Sequence, residues 1–412
     1  MDKKRFKSPD TRTEDLANNA MELLRSPDFF GKYLDAVERC GVVGEERNAE
    51  VLLIVGISRL LPKPINAVIK GPSSAGKNHL ASSVLRLFPE DAVRELTSSS
   101  ALAWNYSGDD FRHRIVYLQE RNDASGAIHP ARLLISEGRL IRKVTVARGA
   151  DRGTKTFVAK GPIASISTTT KNLLEIDDET RHVSMWVDAS REQNRRIARA
   201  TVKAAAPFTR EELMVWRKAH KLIEVRGKMP VTLPQWFEHI AERVYVGDIR
   251  IRRYFPAFST ACTAVALLRS FQRPTDERGQ LQVDFADFWI TWILFESVFV
   301  DSIHRSTDET METRLIVGKI AKRKGSPVHV SDLMKELSIS VNRAYARLHN
   351  AEAVGAIRRA NRPEKGNRKV FLPASIPRFI PDPEELFDEI PEVGQSVRLL
   401  HPLTGEWIIK YR

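Results

Sequence analysis

Ala67-Val68-Ile69-Lys70-Gly71-Pro72-Ser73-Ser74-Ala75-Gly76-Lys77-Asn78 opens on a short apolar run, passes through Gly-x-x-x-x-Gly-Lys, and leads into the amphipathic segment His79 to Phe88. Strand, loop and helix in that order are the setting in which a Gly/Lys pattern becomes a phosphate-binding loop, and they predict an α/β core. The competing reading is a plain Gly/Ser turn between two elements. Gly71 and Gly76 let the backbone curl until successive N–H groups point inward at a phosphate, and the positive end of the following helix adds to that field. Gly71, Pro72, Ser73, Ser74, Ala75, Gly76, Lys77, Asn78 and His79 are the expected nucleotide contacts, with Lys77 on the β- and γ-oxygens. Position 78 departs from the pattern, because a Ser or Thr hydroxyl that ligates Mg²⁺ normally stands there. The carboxamide oxygen of Asn78 can also ligate a hard cation, at a different reach. Nucleotide binding therefore follows more directly than fast hydrolysis.

Upstream, apolar residues from Leu16 to Leu61 recur at helical spacing and fit two or three helices, behind a polar arm of about twenty residues. Asn48 and Glu50, on the helix before the loop, are candidates for base contacts, with ordinary solvated positions as the competing reading. Downstream, Arg114-Ile-Val-Tyr-Leu-Gln-Glu120 reads as a buried strand ending in a carboxylate. Glu120 is the candidate for polarising the attacking water and, with Asn78, for holding Mg²⁺. Gln119 stands where a metal-associated Asp is usual.

Val144/Val146 and Thr156/Val158 alternate on either side of Gly149 and Gly153, which predicts a β-hairpin. It carries Arg142, Lys143, Arg148, Arg152, Lys155 and Lys160 against Asp151 alone. The apolar strand Pro162 to Thr170 follows and ends in hydroxyls, so Thr168 or Thr169 can orient water near a γ-phosphate, with Thr169 the chosen candidate. Phosphate loop, acidic strand, basic hairpin, hydroxyl strand and Asp177-Asp178-Glu179-Thr180-Arg181, in that order, resemble the AAA+ ATPases of the pre-sensor-1 hairpin group, which includes the superfamily 3 and MCM-like helicases. The closest likeness is to the ATPases of phages, plasmids and other mobile elements. The resemblance covers roughly residues 45 to 275, with Gly71 to Lys77, Ile163 to Thr170 and Arg250 to Pro256 its recognisable pieces. It implies a homo-oligomeric ring, commonly a hexamer, with ATP and Mg²⁺ at subunit interfaces and hairpins lining a channel around single-stranded DNA. It further implies that Arg181 reaches a neighbour's γ-phosphate and that Arg252 or Arg253 serves as a second sensor. Surface ion pairs are the bland reading of these arginines.

The chain has 65 Lys and Arg against 52 Asp and Glu, a formal charge of +13, which points to a polyanionic partner and to nucleic acid before membrane. Cys40 and Cys262 are isolated and read as buried thiols, not as a disulfide or zinc site. No apolar run reaches the roughly 18 residues of a membrane span, and no signal core follows Met1-Asp2-Lys3-Lys4-Arg5, so a cytoplasmic protein is expected. From Ala205 to Phe299 the period is helical, with Trp216, Trp236 and Phe237 as packing aromatics, and reads as a helical lid. Helices at Thr313–Lys324, Asp332–Leu337 and Val341–Asn350, with Ser331 as an N-cap, precede a second basic hairpin: Arg358, Arg359, Arg362, Lys365 and Arg368. Three helices and a wing predict a winged helix on duplex DNA, with Asn342, Arg343, Tyr345 and Arg347 exposed on the third helix. Protein docking is the alternative use of that fold.

The boundaries that follow are an N-terminal arm and helices (1–44), an AAA+ P-loop ATPase core (45–205), a helical lid or extension (206–310), a winged-helix domain (311–373), and an acidic linker with a terminal hairpin (374–412). The hairpin could pack on its own ATPase domain or on a partner. Expected partners are DNA, further copies of the chain and, as a candidate, a primase or another replication protein. The preferred reading is a ring-forming replicative helicase, or helicase-like motor, of a mobile element. The amides at Asn78 and Gln119 favour the alternative, an ATP-switched DNA-binding initiator or loader with slow or no hydrolysis.

Overall fold

The structure, a computed structural model, describes residues 9–96, 110–120, 128–148, 151–171, 174, 176–203, 206, 208–247, 249–275, 280–304, 308–353, 355–360, 369–374 and 378–412. At its centre lies a five-stranded sheet of β1 (Ala67–Lys70), β2 (Val93–Leu96), β3 (Arg114–Leu118), β6 (Ile163–Thr169) and β7 (Val183–Trp186), in the order β2-β3-β6-β1-β7. Every pairing in it is parallel. β1 and β6 are buried at every residue, which is why they read as unbroken apolar runs and not as alternation. β6 lies between β1 and β3, so the strand of hydroxyls separates the phosphate loop from the acidic strand.

Three helices precede the sheet: α1 (Pro9–Arg25), α2 (Phe29–Arg39) and α3 (Glu46–Ser58). The expected polar arm is helical from Pro9, a correction that follows from Ala20, Leu23 and Leu24 burying one face. Where α3 crosses the sheet, a Cβ on Gly56 would stand 2.4 Å from the Phe88 ring and 3.1 Å from Ile115, so only glycine permits the approach. α4 (Lys77–Arg86) follows the loop. Between β3 and β6 come α5 (Ile128–Glu137) and a hairpin of two ten-residue strands, β4 (Arg139–Arg148) and β5 (Asp151–Lys160), paired from Arg139↔Lys160 to Arg148↔Asp151. The short helix α6 (Ile176–Glu179) lies between β6 and β7, and α7 (Arg191–Lys203) follows β7.

α8 (Arg210–Arg226), α9 (Phe237–Arg243), α10 (Ile251–Arg269) and α11 (Phe285–His304) complete the helical layer, with the two-residue strands β8 (Val231–Thr232) and β9 (Leu281–Gln282) paired beside them. Thr209 and Glu212 start α8 with a reciprocal capping box. α8 packs on α1 and α10 packs on α3, so this region shares one hydrophobic core with the N-terminal helices and the sheet. Trp216, Trp236 and Phe237 are buried as expected. So is Cys262, but Cys40 is only partly covered, which corrects that reading.

α12 (Asp308–Lys324), β10 (Val328–His329), α13 (Val330–Leu337), α14 (Val341–Ala353), β11 (Ile357–Arg359) and β12 (Val370–Pro373) form a small unit with a core of its own, including Val317, Leu333, Leu348 and Phe371. Its antiparallel sheet has the order β10-β12-β11. His329, not Ser331, caps α13, because the Asp332 side chain returns to the His329 N–H. Residues 378–390 correct the expected acidic linker: they carry α15 (Pro383–Glu389) and pack on the large core, as does the expected terminal hairpin, β13 (Ser396–Leu400) and β14 (Trp407–Tyr411). Phe379, Ile380, Leu386 and Phe387 are buried there, and Glu296 of α11 accepts the N–H groups of Phe379 and Ile380 at 2.7 and 3.0 Å. Proline and acid content disguised these alternating apolar anchors.

Candidate nucleotide-binding site

β1 delivers the chain into the loop at Gly71, whose φ of +149° and whose neighbour Val187, 2.5 Å from where a Cβ would stand, both require glycine. Gly76 is left-handed at φ +86° and immediately precedes α4. The first N–H groups of α4 have no carbonyl within the helix to bond, so they face the loop mouth as anion donors. Lys77 is 7% exposed, and its ammonium donates to the carbonyls of Gly71 at 2.9 Å and Pro72 at 2.6 Å. Burial lowers its pKa and the charge of Glu120 opposes that shift. A cation held over the loop by two carbonyls retains a third N–H for a phosphate oxygen.

The hydroxyl of Thr168, fully buried on β6, donates to Asn78 Oδ1 at 2.7 Å and accepts from the Glu120 N–H at 2.9 Å. One side chain thereby links the first turn of α4 to the turn after β3. Glu120 is exposed, two residues beyond the strand end, with φ of +48°. Thr169 points to the other face of the sheet, as strand alternation dictates, and its hydroxyl accepts from the Lys171 N–H at 3.1 Å. The geometry therefore favours Thr168 over Thr169 as the hydroxyl at the site. This corrects the choice of Thr169, which the sequence could not separate from its neighbour because only the register, Ile69 opposite Thr168, distinguishes them. Gln119 donates to Glu95 on β2. Among the described residues no three His, Cys, Asp or Glu side chains cluster to hold a metal.

The connection Gly41 to Glu45 runs beside α4, with the His79 ring 3.1 Å from where a Cβ on Gly41 would stand. Gln193 of α7 donates to the Val43 carbonyl. Glu45 accepts from the Asp188 N–H at 2.7 Å and from Asn48 Nδ2 at 2.5 Å, while Asn48 also donates to the Trp186 carbonyl at 2.8 Å. Asn48 thus clips α3 to β7. Glu50 is fully buried, neither solvated nor presented to a base, and its carboxyl oxygens have no hydrogen-bond partner among the described residues. Burial raises its pKa well above the usual range. Sequence pattern singled out neither Glu45 nor Gln193, because each acts through contacts more than a hundred residues away.

Burial pushes the Glu45 carboxyl up to about 7, against the hydrogen bonds from Asp188 and Asn48. Because the folded chain then holds this proton more tightly than the unfolded one, Glu45 favours folding below its ordinary pKa. That contribution is lost as pH rises from about 4.5 to 7, by up to about 1.4 kcal/mol per pH unit. Glu45→Gln is expected to remove this slope and leave a pH-independent offset. Urea unfolding of both proteins across that window checks it, and a difference that stays constant with pH contradicts it.

Arg181 donates from Nε to Ser136 Oγ at 2.9 Å and from Nη1 to the Asp177 carbonyl. Arg252 and Arg253 are exposed, and Arg253 donates to Thr180 Oγ1. Of the DNA-contact candidates, Arg148, Arg152 and Lys155 lie on the hairpin strands, opposite Asp151, Ala147 and Val144, and their side chains are outside the described residues. Arg343, Arg358 and Arg359 are exposed, with Arg359 paired to Glu352 at 2.5 Å and Arg343 3.7 Å from Glu309. Arg347 is a correction: it is buried, with Nε on Thr313 Oγ1 at 2.9 Å and Nη2 on Glu312 at 2.6 Å, so it ties α14 to α12 and is not free for phosphate. Arg362, Lys365 and Arg368 lie outside the described residues.

Residues 14–212 match the family described as "MTBMA_p00010 P-loop domain". The comparison with curated proteins gives no match. Among solved structures, a full-length MCM homolog from Methanopyrus kandleri is similar at 11% identity and a TM-score of 0.42, over 72% of this chain and 62% of that one. This chain accordingly spans less than two thirds of that protein's length. The Aeropyrum pernix ORC1 protein in complex with DNA is similar at 14% identity and a TM-score of 0.27, over 85% of this chain and 94% of that one. The apo C-terminal region of NrS-1 is similar at 11% identity and a TM-score of 0.24, over 88% and 75%. Among the described residues no helix is long and apolar enough to cross a membrane. The matched segment, residues 14–212, is just under half of the chain; it contains the parallel sheet and the loop from Gly71 to Lys77 and is similar to a P-loop domain.

Proposed function

We propose that the chain is a DNA-binding AAA+ ATPase acting as a ring-forming helicase, or helicase-like motor, in replication of a mobile element. The observation that carries this reading is the placement of the basic hairpin. β4 and β5 are inserted between β3 and β6, so the element suited to a DNA backbone joins the strand leading to Glu120 and the strand bearing Thr168. The base of the hairpin meets the starts of β3 and β6, where the Lys160 carbonyl accepts the Phe111 N–H at 2.8 Å, so its movement reaches the far ends of those strands through the sheet and through α5. In this reading ATP lies on the loop from Gly71 to His79, and Mg²⁺, held by Asn78, Glu120 and phosphate oxygens, supplies neutralisation of phosphate charge. Arg181 reaches a neighbouring subunit's nucleotide in a ring, commonly a hexamer. Residues 311–373 act as a winged helix on duplex DNA, with Asn342, Arg343 and Tyr345 exposed on α14 and Arg358 and Arg359 on the wing.

A second reading, an ATP-switched initiator or loader with slow turnover, is favoured by one contact. The Asn78 oxygen, the ligand that replaces a hydroxyl, already accepts a hydrogen bond from Thr168. ATP turnover with and without single-stranded DNA separates the readings, with Lys77→Ala setting the background. A motor is expected to accelerate on DNA, and Arg148→Ala with Arg152→Ala to abolish the acceleration and reduce the salt slope of single-strand binding by about 2 in charge number. ATP binding without turnover establishes the switch instead. An unchanged salt slope in the double variant removes the hairpin from the DNA path.

A further inference from the structure

The segment that carries Arg181 is held by two buried carboxylates, and each takes its cation from a different element. Asp178, 2% exposed, receives a two-pronged bond from Arg132 of α5, with Nε to Oδ1 at 2.8 Å and Nη2 to Oδ2 at 2.7 Å. Glu179, 5% exposed, accepts from the Lys70 ammonium, from Ser184 Oγ at 2.7 Å and from the Leu174 N–H at 3.1 Å. Lys70 is the last residue of β1, immediately before Gly71. Ser136, one turn beyond Arg132 on the same face of α5, meets Arg181 directly. From the far side, Tyr254 of α10 donates to the Glu179 carbonyl at 3.3 Å and Arg253 donates to Thr180.

These contacts divide into a fixed end and a transmitting end. Lys70 and Glu179 tie the segment to the phosphate loop through β1, a strand buried at every residue. Arg132 and Ser136 tie it to α5, which ends at Glu137, one glycine before β4. A fork-to-carboxylate pair fixes angle as well as distance, so a rotation of α5 turns α6 with it.

We infer that Arg132, assisted by Ser136, is a positioning residue: it sets the direction of Arg181 toward the next subunit and passes hairpin displacement by DNA to that subunit's nucleotide. The inference rests on the proposed function, in which Arg181 acts in trans. It adds that the DNA signal leaves a subunit through α5 and not through its own nucleotide loop. Arg132→Ala subunits therefore bind ATP and DNA normally but are defective partners.

The test uses full-length protein. Arg132→Ala and the milder Arg132→Lys, which retains charge but not the fork, are assayed for ATP binding, single-strand binding and DNA-stimulated turnover. Each is also mixed with Glu120→Gln subunits, alongside Arg181→Ala in the same mixtures. The expected result is a roughly 10- to 100-fold loss of DNA-stimulated turnover in Arg132→Ala, the size of a typical site-to-site coupling. A smaller loss is expected in Arg132→Lys, with both binding constants retained and turnover partly regained on mixing, because Glu120→Gln subunits supply an intact Arg181. Full DNA-stimulated turnover in both Arg132 variants, while Arg181→Ala loses it, overturns the inference and leaves the trans role standing. Mixing that rescues Arg181→Ala but neither Arg132 variant also overturns it, since a folding defect has no partner to cure it. Failure of mixing to rescue Arg181→Ala itself overturns the trans role and the inference with it.

Discussion

Thr168→Val is expected to lower the ATP turnover rate by about 10²- to 10³-fold, the loss typical of removing one preorganised hydrogen-bonding group from a reacting centre. The substitution keeps the shape of a fully buried side chain and deletes only its hydroxyl. That hydroxyl joins Asn78, at the start of α4, to the backbone of Glu120. Without it, the Asn78 oxygen and the Glu120 N–H lose their common partner, and the carboxylate that should face the attacking water loses its registration against the phosphate loop. Nucleotide affinity should change little, because the proposed function gives the phosphates to the loop N–H groups and Lys77, not to Thr168. The loss should therefore fall on the chemical step, with an unchanged ATP dissociation constant. Thr168→Ser restores the hydroxyl and should recover most of the rate, whereas Thr169→Val, on the opposite face, should cost far less. Single-turnover hydrolysis with titrated ATP decides between them. Equal losses at 168 and 169 would mean that packing of β6, not the hydroxyl, sets the rate.

The sequence made the strand–loop–helix around Gly71 legible because local chemistry specifies it: two glycines at fixed spacing, a lysine, and a β-branched run cannot easily serve another local structure. The hairpin was legible for the same reason, through alternation around Gly149 and Gly153. Contacts formed across the sheet were not. β7 is only four residues long, flanked by charge, and qualifies as a strand because it pairs with β1. Arg347 shows the limit of helical periodicity. A charged residue on α14 reads as solvent-facing until the Glu309 carbonyl, Thr313 and Glu312 of α12 supply it with acceptors. Lys70 and Glu179 are similar, since a lysine inside an apolar strand has no partner in sight until a carboxylate 109 residues later folds against it. Buried charge is invisible to a pattern because its compensation is long-range.

The same physics makes Asp287→Ala the substitution with the largest expected cost in stability, about 3–5 kcal/mol, as befits breaking a buried ion pair from one side. Asp287, fully buried near the start of α11, bonds Arg269 Nη1 and Arg273 Nη2, each at 2.5 Å. It also accepts the Asp284 N–H at 2.9 Å while Asp284 Oδ1 accepts the Asp287 N–H at 2.7 Å, a reciprocal capping pair at the start of α11. Both arginines are largely covered, with side-chain exposures of 15% and 16%, and among the described residues alanine would leave them facing the carboxylate of Asp284, which is 40% exposed. The cost comes mainly from stranded positive charge, not from lost attraction. Adding Arg273→Met to Asp287→Ala should therefore recover part of the loss, a non-additivity that separate structural defects would not show. α10 and α11 hold opposite ends of the site's support: α10 meets the Arg181 segment through Arg253 and Tyr254, and α11 packs on β7 and anchors the C-terminal segment through Glu296. Urea midpoints of the single and double variants measure the effect. A loss below about 1 kcal/mol in Asp287→Ala would place the quartet with ordinary surface pairs and leave the aromatic packing of α10 on α11 as what joins them.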